Sequence, residues 1–185
     1  MKIWSGLPFK IVRLFRTLRS RLKIHELRLR GVDIADGAFV HHSAVLEPSG
    51  GTITIGEGTY IDSGVILRPL GGLIKIGKNC SINAYSVLYG GGGLEIGDNT
   101  RIAAHTVIIP SNHIFADRDI PIKDQGLSQI GIVVENDVWV GAGTRILDGV
   151  TVNTGAVIGA GSVVTKSISS NTVVVGVPAK QIAFR

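Results

Sequence analysis

The sequence predicts an all-β solenoid, a three-sided prism of stacked coils, preceded by one basic helix. The first observation is a six-residue step in aliphatic residues, grouped in threes: Ile34, Val40, Leu46; Ile55, Ile61, Leu67; Ile76, Ile82, Leu88; Ile96, Ile102, Ile108; then Val134, Val140, Ile146 and Val152, Ile158, Val164. The second is where the step breaks. Extra residues follow Leu46, Leu67, Leu88 and, as a long excursion, Ile108, always after the third member of a triplet. The third is composition: 25 glycines, 5% aromatic residues and 44% hydrophobic residues suit short strands of branched side chains joined by tight turns.

Apolar residues two apart point to the same side of a short strand. A second apolar or small residue often stands two before the periodic one, as at Ile53, Ile74, Leu94, Val138, Thr144, Val150 and Ala156. A period of six then provides one strand and one turn per side, and three sides close a coil. Coils stacked about 4.8 Å apart pair their backbones and share a dry core that no single repeat can bury alone. Six coils fit between about residues 33 and 168. Because every break has the same phase, the insertions are expected to leave the prism at one corner and stack along one edge.

Residues 1–31 read differently from the domain at 32–185. Residues 1–30 hold nine Lys/Arg against one acid, Glu26, whereas the remaining chain has ten bases and thirteen acids. The net charge of +5 therefore belongs to this segment, and no nucleic-acid partner follows from it. Ile11, Leu14, Phe15, Leu18 and Leu22 form a helical stripe with Arg13, Arg16 and Arg19 off it. Pro8 suits the first helical turn and Gly31 the exit. Two roles are compatible with this pattern: capping the open end of the prism or packing in an oligomer, and peripheral contact with an anionic membrane through residues 8–30. No apolar run approaches the roughly 18 residues that span a bilayer, and arginines interrupt every apolar cluster a secretory signal would need. With the single cysteine, Cys80, excluding an internal disulfide, a cytoplasmic protein is expected.

Three motifs stand on this periodicity: V-W-V-G-A-G at 138–143, V-I-G-A-G-S-V-V-T-K at 157–166 and G-V-P-A-K at 176–180. With them the chain, over residues 33–182, resembles the hexapeptide-repeat acyltransferases. Within that family it looks like the maltose/galactoside O-acetyltransferases. The N-H-I-F context at 112–115 is closer to relatives that acetylate bacterial surface polysaccharides. The resemblance implies a left-handed parallel β-helix and a homotrimer with active sites in grooves between neighbouring prisms. It further implies acetyl-CoA as acyl donor, with no metal required.

Acetyl transfer from a thioester to a sugar hydroxyl needs a base, donors for the tetrahedral oxyanion and a groove for the pantetheine arm. His113, five residues beyond Ile108 where the loop 109–131 begins, matches the family's catalytic histidine and is the expected general base. The galactoside branch has His-Pro there; this chain has His113-Ile114. His105, three after Ile102, is expected to be structural or to contact the acceptor, and of the histidines only His105 and His113 are expected near one another. His25, His41 and His42 are read as structural or solvated. Asn83 matches an asparagine that contacts the acceptor, or caps its own turn. The family's acidic acceptor ligand is missing, and Gly90–Gly93 occupies that region as an expected flexible corner.

On the donor side, the resemblance implies that Trp139 walls the groove and that Gly141 and Ala142 present backbone N–H groups. Gly159, Ala160 and Gly161 would let the arm approach the backbone. Thr165, Lys166 and Lys180 match positions that bind CoA. A further base common beyond Lys180 is absent, leaving Arg185, in the C-terminal tail 176–185, as the nearest substitute. Asp117, Asp119 and Asp124 are read as loop acids. Cys80 has no histidine beside it, which favours direct attack over an acyl-enzyme. Three other readings stay open: acyl transfer to an amine on an amino-sugar or small molecule, a non-catalytic scaffold, and a zinc anhydrase, which needs three converging histidines.

Overall fold

A computed structural model describes residues 9–185; Pro8 lies outside the described residues. Three parallel sheets form the faces of a prism. Face A stacks Asp33–Ile34, Thr52–Ile55, Leu73–Ile76, Leu94–Ile96, Ile132–Val134 and Thr151–Val152. Face B stacks Phe39–Val40, Tyr60–Ile61, Ser81–Ile82, Arg101–Ile102, Trp139–Val140 and Val157–Ile158. Face C stacks Val45–Leu46, Ile66–Arg68, Val87–Tyr89, Val107–Ile109, Arg145–Leu147 and Val163–Val164. The chain visits A, B and C in turn six times, which is the left-handed parallel β-helix.

All eighteen periodic aliphatic residues are buried, in register from coil to coil, as in Ile61 beside Ile82 beside Ile102 beside Val140. Polar residues that enter the core are bonded to their own turn or to the next coil, as buried polar groups must be. Thr59 Oγ1 donates to Gly77 O at 2.7 Å and Thr100 Oγ1 to Glu135 O at 2.9 Å. The four insertions all leave at the corner between faces C and A. Gly90 and Gly92 are not a flexible corner: a Cβ on either would collide with a carbonyl of a neighbouring segment, Leu73 O and Pro110 O. Close stacking of the insertions accounts for these glycines.

The helix, α1 (Phe9–Leu29), ends as Gly31 turns with φ +85°. Its C-terminal half closes the first coil. Leu27 is 0% exposed within the core, Ser20 Oγ accepts from Val40 N–H at 3.0 Å, and Arg28 Nη2 donates to Asp36 Oδ1 at 2.9 Å. Arg16 lies over the stacked rings of Phe39 and Tyr60 on the outside of face B, 5.0 and 5.6 Å from their centroids. The stripe Ile11, Leu14, Phe15, Leu18 and Leu22 takes no part in this cap and is exposed. The contact is made instead by the opposite side of the helix. At the other end, Thr172–Gly176 extends face B and pairs antiparallel with Ala179–Phe184.

Candidate active site

The corner between faces B and C is a four-residue turn repeated in every coil. In coils three to six it reads Asn83–Ser86, Ala103–Thr106, Gly141–Thr144 and Gly159–Ser162. The fourth residue points inward: Ser86, Thr106, Thr144 and Ser162 are fully buried. The third has left-handed backbone and is Tyr85, His105, Gly143 and Gly161, with φ +59°, +60°, +68° and +71°. Tyr85 and His105 stack their rings, while a Cβ on Gly143 or Gly161 would meet nothing within 4 Å. The corner therefore carries aromatic side chains over coils three and four and is bare over coils five and six.

The backbone donors divide by position. Gly141 N–H donates to Ile158 O at 2.7 Å and Gly159 N–H to Val174 O at 2.8 Å, so both belong to the ladder between coils. Gly141 is glycine for a matching reason, since a Cβ there would sit 2.5 Å from Ala160 N. The N–H groups of Ala142 and Ala160 have no hydrogen-bond partner among the described residues, and both residues are exposed. Bare backbone with outward donors fits a narrow, extended arm rather than a bulky ring. Trp139, 57% exposed, stands on face B just before this corner.

Asn83 also stands here, its Nδ2 donating to Ile102 O at 2.7 Å. Asn153 makes the same bond to Ile168 O at 2.6 Å at the A/B corner, so this use of the amide serves the turn and leaves Oδ1 outward.

His113 stands on the opposite edge of face C. The chain leaves that face at Ile109, and Asn112–His113 pairs antiparallel with Leu127–Ser128 at the base of the excursion. His113 is exposed. The three-residue strand Val107–Ile109, roughly 10 Å long at 3.3 Å per residue, separates its corner from that of His105. The expected nearness of the two histidines is thus not realised within one chain, although only eight residues part them. None of Asp117, Asp119 and Asp124 bonds to His113: Gln125 knits Asp117 into the loop tip, and Asp124 pairs with Lys123 at 2.7 Å. Asp148, which sequence reasoning missed, ties the returning strand down, accepting from Ile130 N–H (3.0 Å), Gly131 N–H (2.9 Å) and Ser128 Oγ (3.1 Å). Its signal was its place, at the insertion corner one coil beyond the excursion.

Thr165 and Lys166 follow the last strand of face C and share His113's corner, both exposed. Lys180 is exposed on the C-terminal strand of face B. Arg185 is committed elsewhere, pairing with Asp137 Oδ2 at 2.8 Å at the A/B corner. Cys80 is buried, its Sγ 3.1 Å from Gly97 O, and burial pushes its thiol pKa up, away from a nucleophile's needs. Among the described residues no group of His, Cys, Asp or Glu is arranged to hold a metal. The expected residues thus form two sets at opposite edges of face C. The outer surface of that face carries an apolar row, Val45, Ile66, Val87 and Val107.

Residues 131–166 match the family model described as bacterial transferase hexapeptide (six repeats). The galactoside O-acetyltransferase of Escherichia coli is 36% identical over 94 residues, 48% of this chain and 43% of that protein. WbbJ of the same organism, an O-acetyltransferase provisionally assigned to lipopolysaccharide biosynthesis, is 36% identical over 96 residues, 48% of this chain and 49% of that protein. The chain spans less than half the length of these curated relatives. Among solved structures, a single-residue mutant of AntD, an N-acyltransferase from Bacillus cereus, in complex with dTDP-4-amino-4,6-dideoxyglucose and coenzyme A, superposes with a TM-score of 0.77. It is 28% identical, over 88% of this chain and 89% of that one.

Proposed function

We propose that this chain, whose prism carries the hexapeptide repeat of the bacterial transferases, is an acyl-CoA-dependent acyltransferase. Its reaction is the transfer of an acetyl group to a sugar hydroxyl in the building of a surface glycan, on the cytoplasmic side where acetyl-CoA is found. The observation that supports this best is the division of the site. One edge of face C offers a base, His113, with Thr165 and Lys166. The other offers bare backbone and two free N–H donors, with Trp139 beside it. A second copy laid along the apolar row of face C brings the B/C corner of one prism to the C/A corner of the next. Three copies close that contact as a homotrimer with three such grooves.

In such a groove the imidazole of His113 takes the acceptor's hydroxyl proton as the oxygen attacks the thioester carbonyl. Ala142 and Ala160 N–H face the carbonyl oxygen, which carries the charge of the tetrahedral species. That species collapses with cleavage of the carbon–sulfur bond, and the imidazolium returns its proton to the CoA sulfur. Lys166 and Lys180 supply point charges for the phosphates. Asn83 Oδ1 and His105 lie where the acceptor would enter.

Transfer to an amine is the second reading, favoured by the likeness to AntD over nearly the whole prism. The test measures CoA released from acetyl-CoA across glycosides, lipid-linked oligosaccharides and nucleotide sugars, with and without an amino group. Native protein is compared with His113→Ala. Acceptor-dependent release that drops about 10²–10⁴-fold in the variant, giving a product cleaved by alkaline hydroxylamine, supports the ester-forming reading. A hydroxylamine-resistant product moves the assignment to the amine. Absence of CoA binding removes the transferase reading.

A further inference from the structure

A helix that only caps a solenoid needs one apolar side, turned inward. α1 has two. At about 100° per residue, Ser20 and Leu27 point to the prism, and Ile11, Leu18, Leu22 and Leu29 point the opposite way. Leu18, Leu22 and Leu29 are 50%, 63% and 77% exposed, and Phe15 and Leu14 widen the stripe. From Ile11 to Leu29, 19 residues and 18 steps, it runs about 27 Å at 1.5 Å per step.

The charges sort in the same way. On the prism side, Arg16 lies on the Phe39 and Tyr60 rings and Arg28 pairs with Asp36. Glu26, the first acid in the sequence, is neutralised by Lys23 and Arg30, at 3.1 and 3.2 Å. Arg19 and Arg21 border the outward stripe, one on each side, and neither has an acidic partner among the described residues. Glu26 stands on the Arg19 side of the stripe but is already held by Lys23 and Arg30, so the same face of a second copy would bring arginine against arginine. A surface of phosphate headgroups over acyl chains complements both the stripe and its borders.

We propose that the outward face of α1 docks the protein on an anionic lipid surface. The leucines and Phe15 enter the boundary of the acyl chains, and Arg19 and Arg21 reach out to headgroup phosphates. None of the described helices is long and apolar enough to cross a membrane, so the contact is peripheral. The inference does not depend on the acyltransferase reading, and its test uses neither acyl donor nor acceptor.

The experiment is flotation of the full chain with vesicles of phosphatidylcholine containing phosphatidylglycerol, against vesicles of phosphatidylcholine alone. The protein is expected to float with the anionic vesicles and to be released by salt. Leu18→Glu with Leu22→Glu is expected to weaken binding at least about tenfold, since each places a charge in the apolar boundary. Arg19→Gln with Arg21→Gln is expected to weaken it and to flatten its salt dependence. Both double variants should keep a thermal midpoint near the native one, because neither removes a hydrogen bond or ion pair that holds α1 on the first coil. No flotation of the native protein, or equal flotation of the leucine variant, overturns the proposal. A leucine variant whose mass by light scattering falls to that of a smaller assembly also overturns it, because another copy then covers the stripe.

Discussion

Tyr85 lies on His105, ring centroids 5.5 Å apart and planes 15° from parallel, and both residues hold left-handed backbone. Gly64, Gly143 and Gly161 take the same corner position in coils two, five and six. Left-handed backbone costs a non-glycine residue about 1–2 kcal/mol, and the stack returns about 0.5–1.5 kcal/mol. Stability alone gives no reason for tyrosine here, and Tyr85 is 59% exposed at the mouth of the proposed groove. The ring is held between His105 and Gly64, where a Cβ on Gly64 would sit 2.5 Å from Tyr85 Cδ1, so its open edge is what a ligand can meet. Strain kept on an exposed residue is the pattern of a binding contact, here with the acceptor. Tyr85→Gly is expected to leave the thermal midpoint within about 4 °C and the KM for acetyl-CoA unchanged, while raising the KM for the acceptor. Tyr85→Phe should keep the native values. A glycine variant with native acceptor KM removes the contact role.

His41 gives the first coil a pH dependence. Its pKa is held below the usual 6.5, chiefly by burial, then by repulsion from His42 and Arg16, with Asp62 opposing. Its Nδ1 is 2.8 Å from Ser43 Oγ, and its ring lies 4.2 Å from that of His42. As pH falls through 6.5 the unfolded chain takes up a proton that the native imidazole still refuses. Protons bound preferentially to the unfolded state lower stability as pH falls. The contribution is neutral above the unfolded value and destabilising below it. Thermal midpoints measured from pH 7.5 to 5 should decline, and His41→Gln should decline less over the same interval; parallel declines would assign the effect to other groups.

The prism was legible because its cause is local and repeated. A buried aliphatic every six residues leaves no other way to share a core, and the phase of the breaks already marked the C/A corner. The site was legible only in part, because its residues are read in a line and placed on a prism. His105 and His113 are neighbours in sequence, yet Val107–Ile109 carries the chain across a whole face between them. The motif implies N–H donors at both Gly141 and Ala142, but the Gly141 N–H serves the stacking of coils, which leaves Ala142 as the free donor of the pair. For α1 the periodicity announced an apolar stripe without saying which way it turns. Leu27 and Ser20 decide that, because a plug for the first coil must be small enough at Ser20 to receive Val40 N–H. Tyr85's left-handed backbone is marked in the sequence only through the glycines that share its phase, Gly64, Gly143 and Gly161, because a bulky residue rarely adopts that conformation.

Asp148 reaches His113 only through the excursion. Its carboxylate holds the N–H groups of Ile130 and Gly131 and the hydroxyl of Ser128, and Ser128 pairs with Asn112 beside His113. Asp148→Ala leaves the two N–H groups without an acceptor, at a cost of about 1–3 kcal/mol each where water does not replace it. The expected result is a loss in kcat with little change in CoA affinity, and partial recovery in Asp148→Asn, whose Oδ1 still accepts. An equal loss of CoA binding would mean that the whole face has shifted, and a native kcat would mean that the loop holds His113 without this anchor.

The separation of His113 from Ala142 and Ala160 across face C makes the strongest prediction. If each groove joins two copies, a variant lacking the base and a variant with a blocked donor corner repair each other. His113→Ala removes the base at the C/A corner, and Ala160→Trp fills the bare B/C corner while leaving His113 in place. Each variant alone is expected to be inactive. Unfolded together and refolded in equal amounts, they should regain about a quarter of native activity, because in a closed ring of copies each groove draws its two halves independently. Mixing the folded proteins without exchange of copies should regain none, which separates assembly from simple addition. A refolded mixture as inactive as its parents would place base and donor corner in one chain. That would require face C to fold in a way that brings its two edges together, against the three-residue strand that holds them apart.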